Sequence, residues 1–488
     1  MTHFLGIDLG TSSVKVVITN EQGQVLGLAT HPYPINIPQV KWAEQQPQDW
    51  WQATIFAVRH ALSQYGNTSI DGIGLSGQMH GTVLISHDKL PIGQAIIWAD
   101  QRSIDEAREI ASVVGSVQIL SIAGTLPASG FMASTLRWIQ KYDPARLEKS
   151  RYCLLPKDYV RLCLTGEIAT DVTDASATLL FDVSHRQWSS QLIQSLQLPD
   201  YLWPPAFESA SIVGSLRRSA AEALGLHVGV PVVAGCADQV AQAIGNGLFE
   251  PGTGSITIGT GGQIFVPLMA PRVNPDLHTF CHAPTNRWYV MGTTQSAGLS
   301  LRWLRDLLNM SGEPTAYETL TRFAADVPAG ADGLLFLPYL VGERTILTTA
   351  RVPGAFIGLT LQHQSGHLAR AVMEGVAFAM RKILETLAGM GISVEYLIAS
   401  GGGLSSNLWR QITADVTGKP LRLYAGVEKA AVGGAMTAAL GIGTYRDYGE
   451  VRDALATSYI VTEPNSQNLD LYNEQYCHFL QNALSLML

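Results

Sequence analysis

The residues best suited to chemistry lie in short turns that are rich in glycine and hydroxyl groups. The first turn, residues 6–13, reads GIDLGTSS and places Asp8 at the end of an apolar run. The backbone N–H groups of such a turn, together with the hydroxyl of Thr11, can bind phosphate oxygens. Asp8 can hold Mg²⁺ through water, which is how that ion is usually bound. On its own, the segment favours an ordinary hairpin turn over a phosphate site.

Two further glycine-rich turns follow the first. Residues 256–262, ITIGTGG, repeat the arrangement of a strand and a Gly/Thr turn. Residues 398–407, IASGGGLSSN, lead from a strand through three glycines toward a helix that Ser405 could cap. A backbone without side chains lets a nucleotide approach closely. Two phosphate hairpins followed by a nucleoside-binding turn resemble the ATPase fold shared by actin, hexokinase and the heat-shock chaperones.

An acidic residue lies where the two halves of the chain meet. Residues 235–241, GCADQVA, place Asp238 directly after a predicted strand. A carboxylate at the mouth of a cleft between domains suits a general base that accepts the proton of an attacking hydroxyl. Asp238 could equally be the N-cap of a helix, and the two roles are compatible.

Three other patterns do not indicate a site. Residues 72–77 match the G-x-G-x-x-G fingerprint of dinucleotide-binding proteins, but they lie late in an apolar strand and open no helix. The chain contains no G-x-x-x-x-G-K-[ST] sequence, which excludes a P-loop kinase. His278, Cys281 and His282 have no further ligand pair nearby, and this argues against a zinc site.

The elements that must position these turns alternate between strands and helices. Apolar, β-branched runs predict strands at 4–7, 14–18, 25–29, 70–76, 255–259, 263–267 and 395–399, and apolar periodicity predicts helices at 47–64, 367–387 and 469–484. Both halves begin with a strand, a Gly/Thr turn and a second strand. We therefore predict an α/β fold of two ribonuclease-H-like domains around a central cleft, with residues 1–246 and 247–488 as the two domains.

Composition narrows the class of protein. A chain of 488 residues is too long for one compact core, so two domains are expected. The net charge of −8 argues against nucleic acid or a membrane surface as a partner, since both favour a basic protein. The five cysteines form no C-x-x-C pair, and no apolar run approaches the roughly 18 residues of a membrane span. We find no signal peptide and expect a cytoplasmic protein.

With these residues in view, the chain resembles the FGGY carbohydrate kinases nearly end to end, and their xylulokinase branch most closely. The resemblance is carried by the first turn and by the following segments: 42–51 (WAEQQPQDWW), 77–81 (GQMHG), 155–166, 278–282 and 354–374. It implies ATP-dependent phosphorylation of a small ketose, D-xylulose being the first choice, at its terminal hydroxyl. ATP and Mg²⁺ are the implied cofactors, and a homodimer is the implied assembly.

The resemblance also implies a role for individual residues. Asp238 would be the catalytic base, and Asp8 with Asp238 would place Mg²⁺. The expected ligands of the substrates are Met79, His80, Asp100, Asp238 and Gln239 for the ketose, Thr11, Ser12, Thr260 and Gly261 for the phosphates, and Gly402, Gly403 and Asn407 for the adenosine.

Three positions depart from the family pattern and leave the sugar and the rate open. Thr135 stands where the family usually has lysine, Ala99 where it has a small polar residue, and Ile346 where it commonly has proline. The alternatives are therefore a kinase for D-ribulose, L-ribulose, L-fuculose or glycerol, and a nucleotide-binding regulator that has lost transfer activity.

Overall fold

The architecture consists of two large mixed β-sheets with helices packed on them, as seen in a computed structural model that describes residues 2–67, 69–342, 352–426, 428–455 and 458–486. The strands, numbered β1 to β24 in chain order, are His3–Leu9, Ser13–Asn20, Val25–Pro32, Glu44–Gln45, Gly72–Gly77, Val83–Ile85, Ala95–Ile96, Tyr152–Leu154, Thr170–Asp171, Phe181–Asp182, Gln187–Trp188, Ala206–Phe207, Ile212–Ser215, Pro231–Val233, Cys236–Ala237, Gly252–Ile258, Gly262–Leu268, His278–Cys281, Trp288–Thr294, Leu335–Leu337, Ala355–Ile357, Val394–Ser400, Leu421–Tyr424 and Tyr459–Thr462.

Helices occupy most of the remaining described chain. The α-helices, numbered α1 to α18 in chain order, are Pro47–Tyr65, Ile104–Ile110, Ser116–Ala123, Met132–Tyr142, Pro144–Glu148, Pro156–Thr165, Val172–Ala175, Ser190–Ser195, Arg218–Leu224, Asp238–Gly245, Gly298–Leu307, Ala316–Ala325, Ser365–Gly389, Gly402–Ser405, Asn407–Thr417, Lys429–Gly441, Tyr448–Ala454 and Leu469–Ser485. Among the described helices, none combines the length and the apolar character that crossing a membrane requires.

The two large sheets share one plan. The first has the strand order β13-β14-β5-β1-β2-β3, with β15 also paired to β5, and the second has the order β18-β19-β17-β16-β22-β23-β24. In each, the opening strand pairs antiparallel with its hairpin partner and parallel with a later strand, as β1 does with β2 and β5, and β16 with β17 and β22. The prediction of two ribonuclease-H-like halves is confirmed.

The predicted strands and helices are present with ends shifted by up to three residues. Strand β1 is buried on both faces, which explains why its sequence is an almost continuous apolar run rather than an alternating one. The predicted division between residues 246 and 247 falls in the connection between α10 and β16, and it stays a prediction.

A helix from the second half packs on the first sheet. Helix α16 lies against β1 and β5, and a Cβ atom on Gly6 or Gly74 would stand 1.9 Å from the carbonyl oxygen of Ala431 or Gly434. Only glycine permits so close an approach of two backbones. The G-x-G-x-x-G pattern therefore lies in β5, and its middle glycine serves helix packing.

The halves are joined by an apolar core as well as by the chain. In the described residues, buried side chains form one cluster at each large sheet, one in the helical region that includes α4, and one between the sheets. The cluster between the sheets combines Met79 and Val240 of the first half with Phe265, Tyr289 and Ala435 of the second. The hairpin turns therefore project from a firmly packed base.

Candidate functional site

The first two acidic residues of the predicted site meet at one sheet edge. Strands β1, β5 and β15 run parallel, and their register aligns Asp8, Ser76 and Cys236 across the sheet. The Ser76 hydroxyl donates a hydrogen bond of 2.5 Å to Oδ1 of Asp8. Because α10 begins directly after β15, Asp238 projects from the same edge. The hairpin turn and the acidic residue, 230 positions apart in sequence, therefore share one site.

Asp238 has the environment of a base rather than of a cap. Ala237 holds the N-cap position of α10, and Asp238 is the first helical residue, so the N-cap alternative is wrong. Its Oδ1 atom is buried and has no hydrogen-bond partner among the described residues. Burial, followed by the negative charge of Asp8, raises the pKa of Asp238 to about 7, although hydrogen bonds from Gln239 lower it. The residue as a whole is only partly buried, so part of its surface is open to solvent.

Asp8 lies beside a cation that sequence reasoning missed. Burial raises the pKa of Asp8, and the charge of Glu428 adds to this, whereas the Ser76 hydrogen bond and Lys15 lower it. Lys15 is directly opposite Asp8 in the register of β1 and β2. Its Nζ lies 2.7 Å from Oε2 of Glu428, which belongs to the second half. A hairpin centred on the turn pairs positions 8 and 15, so the sequence did contain a signal for Lys15.

The first hairpin turn is held from two sides. The backbone N–H of Gly10 donates to the carbonyl oxygen of Ser13 over 3.1 Å, which closes the turn. The hydroxyl of Thr11 accepts a hydrogen bond of 2.9 Å from Nε1 of Trp98. Accepting this bond leaves the hydroxyl proton able to reach a phosphate oxygen. Ser12 is exposed at the tip of the turn.

The second hairpin turn is anchored on helix α11. The carbonyl oxygen of Thr260 accepts hydrogen bonds from the backbone N–H groups of Ala297, at 3.1 Å, and Leu299, at 3.0 Å. The N–H of Gly259 donates to the carbonyl oxygen of Gly261 over 2.9 Å. Thr260 itself is exposed, so its side chain and the tip of the turn remain accessible to a ligand.

The three glycines of the third turn have different surroundings. Gly401 has a φ of 84°, and a Cβ there would lie 2.4 Å from the carbonyl oxygen of Ile258. A Cβ on Gly403 would lie equally close to the Ile258 side chain. The Cβ position of Gly402 meets no atom within 4 Å. The backbone at Gly402 is therefore the part of this turn that a nucleotide can approach.

The helix after this turn begins one residue later than predicted. Ser405 ends the short helix α14, and Ser406 is the N-cap of α15, where its side chain accepts from the N–H of Trp409 over 3.3 Å. The prediction that Ser405 caps the helix is wrong. Asn407 is exposed, and its Oδ1 accepts a 2.7 Å hydrogen bond from Arg410.

Helix α10 links the proposed base to both nucleotide turns. Gln242 lies one helical turn after Asp238, and its Nε2 donates to the hydroxyl oxygens of Thr257, at 3.1 Å, and Ser400, at 2.8 Å. These two hydroxyls lie 2.6 Å apart. Thr257 is in the second hairpin and Ser400 ends the strand before the glycine turn, so one amide connects three parts of the site.

Two of the predicted sugar-contacting residues, Met79 and His80, lie shortly after β5, and Gln239 is next to Asp238 in α10. His80 has a φ of 68°, stacks on Phe131 with a centroid distance of 4.1 Å, and has Nδ1 2.7 Å from the carbonyl oxygen of Ala177. A carbonyl can only accept, so Nδ1 carries the proton and Nε2 carries a lone pair when the ring is neutral. Met79 is buried between the sheets, and Gln239 accepts a hydrogen bond from Gln263.

The carboxylate of Asp100 is committed to a buried clamp. Its Oδ2 accepts from the backbone N–H of Ala43 over 2.6 Å, and Nε of Arg102 lies 3.0 Å from both oxygens. Arg102 also contacts Glu44 at 2.7 Å. Its guanidinium lies 3.6 Å from the ring centroid of Trp42. These contacts give Asp100 a supporting role, and its contact with a ketose stays a prediction.

Two of the three positions that depart from the family pattern lie in the described chain, and one of them, Ala99, lies between Trp98 and Asp100. Thr135 is buried inside α4, and Ala99 packs at the edge of the first-half core. Ile346 lies outside the described residues.

The histidines and the cysteine that resemble a metal site make structural contacts. Nδ1 of His278 lies 2.6 Å from the Thr125 hydroxyl, and Nε2 of His282 lies 3.0 Å from the carbonyl oxygen of Leu248. Burial lowers the pKa of His282 to about 4, so it is neutral at pH 7. No group of three or more potential metal ligands is arranged around a common point in the part of the chain that the structure describes.

A buried charge cluster behind the base was also missed. Lys157 is fully buried, and its Nζ lies 2.7 Å from carboxylate oxygens of both Asp158 and Asp171. Asp171 accepts a 2.5 Å hydrogen bond from the Thr173 hydroxyl, which in turn accepts from the backbone N–H of Ala237 over 2.9 Å. The residue before Asp238 is thus held by a network that sequence spacing does not reveal.

Comparisons with known proteins match nearly the whole chain. Residues 3–245 match the model of the N-terminal domain of the FGGY family of carbohydrate kinases, and residues 254–442 match the model of its C-terminal domain. The chain is 37% identical to the xylulose kinase of Escherichia coli strain K12 over 438 residues, which cover 89% of this chain and 88% of that protein. It is 33% identical to the xylulose kinase of Bacillus subtilis strain 168 over 489 residues, covering 98% and 97%. The crystal structure of xylulose kinase from Rhodospirillum rubrum superposes with a TM-score of 0.92 at 30% identity and covers 99% of both chains.

Proposed function

The chain belongs to the FGGY family of carbohydrate kinases, and from this membership we propose that it transfers the γ-phosphoryl group of ATP to the terminal hydroxyl of D-xylulose, giving D-xylulose 5-phosphate. The similar proteins named above are xylulose kinases. One observation carries the proposal. The carboxylate of Asp238 lies at the sheet edge that also carries Asp8, has a buried oxygen without a partner among the described residues, and has a pKa raised to about 7. A general base works best when its pKa is near the working pH.

In the proposed reaction, Asp238 accepts the proton of the sugar O5 hydroxyl. The O5 atom forms a bond to the γ-phosphorus while the bond from that phosphorus to the β,γ-bridging oxygen breaks, and ADP leaves with this oxygen. The protein contributes mainly by positioning the two substrates and stabilising charge. The hydrogen bonds from Gln239 favour the ionised carboxylate and so keep the base available at pH 7.

The phosphates are proposed to lie between the two hairpin turns. Thr11 and Ser12 would donate from one turn, and Thr260 and Gly261 from the other, since backbone N–H groups in such turns bind anions. Lys15 adds a cation on the first-hairpin side, and phosphate oxygens would compete with Glu428 for it. The adenosine would follow the open backbone at Gly402, with Gly403 and Asn407 beside it.

The residues also fit a magnesium ion. Asp8 and Asp238 both have pKa values raised by burial, and the Oδ1 atom of Asp238 has no partner among the described residues. Two carboxylates completed by water and phosphate oxygens form the usual environment of Mg²⁺. When bound, the ion would neutralise negative charge on the phosphates.

The ketose is proposed to bind against His80, with Met79 and Gln239 completing the contacts and Asp100 supporting the wall. An imidazole nitrogen of His80 can exchange a hydrogen bond with a sugar hydroxyl. Ring stacking on Phe131 fixes the plane of the imidazole and therefore the direction of this bond. The homodimer and the cytoplasmic location remain predictions.

The test is ADP release measured with D-xylulose, D-ribulose, L-ribulose, L-fuculose and glycerol. We expect D-xylulose to give the highest kcat/KM. Replacing the base in Asp238→Asn should reduce kcat by about 10²- to 10⁴-fold. Asp182→Asn, whose carboxylate contacts the exposed His185, is the matched control and should retain activity. If another sugar gives the highest kcat/KM, the chain is a kinase for that sugar. If no sugar stimulates ADP release while calorimetry detects ATP binding, the chain is a regulator.

A further inference from the structure

A buried glutamine joins the first phosphate hairpin to the proposed sugar loop. Gln45, in strand β4, is only 1% exposed. Its Nε2 donates to the carbonyl oxygens of Thr11, at 2.7 Å, and Pro34, at 3.4 Å. Its Oε1 accepts from Nε2 of Gln78, at 2.8 Å, and from Nε1 of Trp50, at 3.2 Å. The amide of Gln45 thus makes the four hydrogen bonds that a primary amide can make.

The partners of Gln45 lie in two loops with different proposed ligands. Thr11 is in the hairpin proposed to bind phosphates. Gln78 directly precedes Met79 and His80, the residues proposed to contact the sugar. Gln78 is buried and is tied by its own backbone N–H to the carbonyl oxygen of Leu9 over 2.8 Å, so the two loops run side by side. Gln45 adds a second link between these two loops, made by its side chain.

The contact with Thr11 has a direct consequence for phosphate binding. The carbonyl of Thr11 and the N–H of Ser12 belong to one planar trans peptide unit, in which they point in opposite directions. Fixing the Thr11 carbonyl toward Gln45 therefore fixes the Ser12 N–H toward the opposite side, at the exposed tip of the hairpin. The orientation of a phosphate donor is set by a residue that touches no phosphate.

The segment that carries Gln45 is itself held in place. The neighbouring Glu44 contacts Arg102 at 2.7 Å, and the backbone N–H of Ala43 donates to Asp100 over 2.6 Å. Arg102 stacks on Trp42. The amide of Gln45 is therefore presented from a fixed support, and a displacement of Gln78 is transmitted to Thr11 rather than absorbed by motion of β4.

We propose that Gln45 is a positioning residue that couples the sugar site to the ATP site, an inference that rests on the proposed function. Sugar bound at Met79 and His80 restrains Gln78. Through Gln45, this restraint fixes the Thr11–Ser12 peptide in the orientation that receives the γ-phosphate. Without sugar, only the protein's own contacts restrain Gln78, so the hairpin is held less firmly when ATP binds, and hydrolysis by water stays slow. Such coupling is reciprocal, so ATP must tighten sugar binding by the same factor.

The test measures this factor by calorimetry. The Kd of a non-hydrolysable ATP analogue is determined with and without D-xylulose in the wild type, in Gln45→Met, in Gln78→Met and in the double variant. Methionine keeps the length of glutamine and removes its hydrogen bonds. The matched control is Gln475→Met, because Gln475 is also buried and also donates to a carbonyl oxygen, that of Gly330, at 2.6 Å.

We expect D-xylulose to tighten binding of the analogue by about 5- to 150-fold in the wild type, and by about twofold or less in both single variants and in the double variant. The double variant should show no further loss, because both residues act through one link. The control should keep the wild-type factor. Sugar-independent ATP hydrolysis, as a fraction of total turnover, should rise in Gln45→Met and not in Gln475→Met.

Two results overturn the coupling alone: a wild-type factor of one, or an unchanged factor in Gln45→Met, each with D-xylulose still phosphorylated by the wild type. If Gln45→Met does not fold, Gln78→Met tests the same link from its other end, and an unchanged factor there has the same meaning. A wild-type protein that neither binds nor phosphorylates any ketose overturns the proposed function, and the coupling falls with it.

Discussion

The raised pKa of Asp238 predicts that removing the base stabilises the folded protein while it lowers kcat. In the unfolded chain an aspartate has a pKa near 3.8, and in the folded protein this group has a pKa of about 7. The folded state therefore holds the proton more tightly than the unfolded state does. Below pH 3.8 both states are protonated and the difference has no effect. As the pH rises toward 7, ionisation increasingly favours the unfolded chain, and above pH 7 the effect levels off.

The size of this effect follows from the two pKa values. Each pKa unit corresponds to about 1.4 kcal/mol, so the carboxylate destabilises the folded protein by roughly 4 kcal/mol at pH 8 and by less than roughly 2 kcal/mol at pH 5. Asparagine has a similar shape and does not ionise. The stability of Asp238→Asn relative to the wild type should therefore increase by about 2 to 3 kcal/mol between pH 5 and pH 8.

The assay is urea-induced unfolding of both proteins at the two pH values, without nucleotide or divalent cation. Any packing change caused by asparagine is the same at both pH values. The stability difference between variant and wild type at pH 8, minus the same difference at pH 5, therefore reports only the ionisation of Asp238. Asp105→Asn, which removes an exposed carboxylate 2.9 Å from Arg108, is the control and should show no gain of this size. If Asp238→Asn gains the same stability over the wild type at pH 5 and at pH 8, the folded protein does not raise the pKa of this carboxylate. Its assignment as the base would then lack support.

Three further predictions concern the rest of the site. The acid limb of kcat/KM should have its midpoint near pH 7, and Asp8→Asn should move the apparent pKa of Asp238 to a lower value because a negative charge beside it is removed; a midpoint near pH 4 contradicts the assignment. Lys15→Met should raise the KM for ATP by about tenfold or more, the usual strength of a charge-assisted hydrogen bond, with little effect on the KM for the sugar; equal changes in both constants would contradict a phosphate contact. Gly402→Ala should fold normally and weaken ATP binding, whereas Gly401→Ala should lose stability, because only Gly401 has a positive φ and a carbonyl at its Cβ position; thermal unfolding and ATP titration of both variants separate the two effects.

The fold was largely predictable because its signals are local. The strands of both hairpins and the long helix α13 appear as apolar runs or apolar periodicity, and these need no knowledge of the rest of the chain. Helix α16 is different. Its sequence, KAAVGGAMTAALG, is small and apolar on all sides, so it predicts a buried helix and does not say which sheet buries it. Its packing on β1 and β5 depends on glycines more than 350 positions away.

The site was predictable only in its separate parts. Asp8, Thr11 and Asp238 were predicted from the chemistry of their own segments. The residues that connect them, Gln45 and Lys157, were missed as functional residues, since the importance of each lies in hydrogen bonds or ion pairs to distant strands and helices. Ser405 was chosen as a helix cap over Ser406 because two adjacent serines have the same propensity, and only the turn of the backbone after Gly401 decides between them.

The position of Asp238 at the junction of the two halves also matters for how the site would close. The residue before it is bonded to Thr173 of the first half, and one turn later Gln242 bonds Thr257 and Ser400 of the second half. When two bodies rotate about a joint, atoms at the joint move least and those at the tips of projecting loops move most. Asp238 and the turn at Thr11 share the edge of the first sheet, so closure of the cleft would bring the turn at Thr260 toward both of them. A base placed on the second hairpin would have to be realigned with the sugar in each turnover, whereas a base on α10 would keep its position beside the first hairpin.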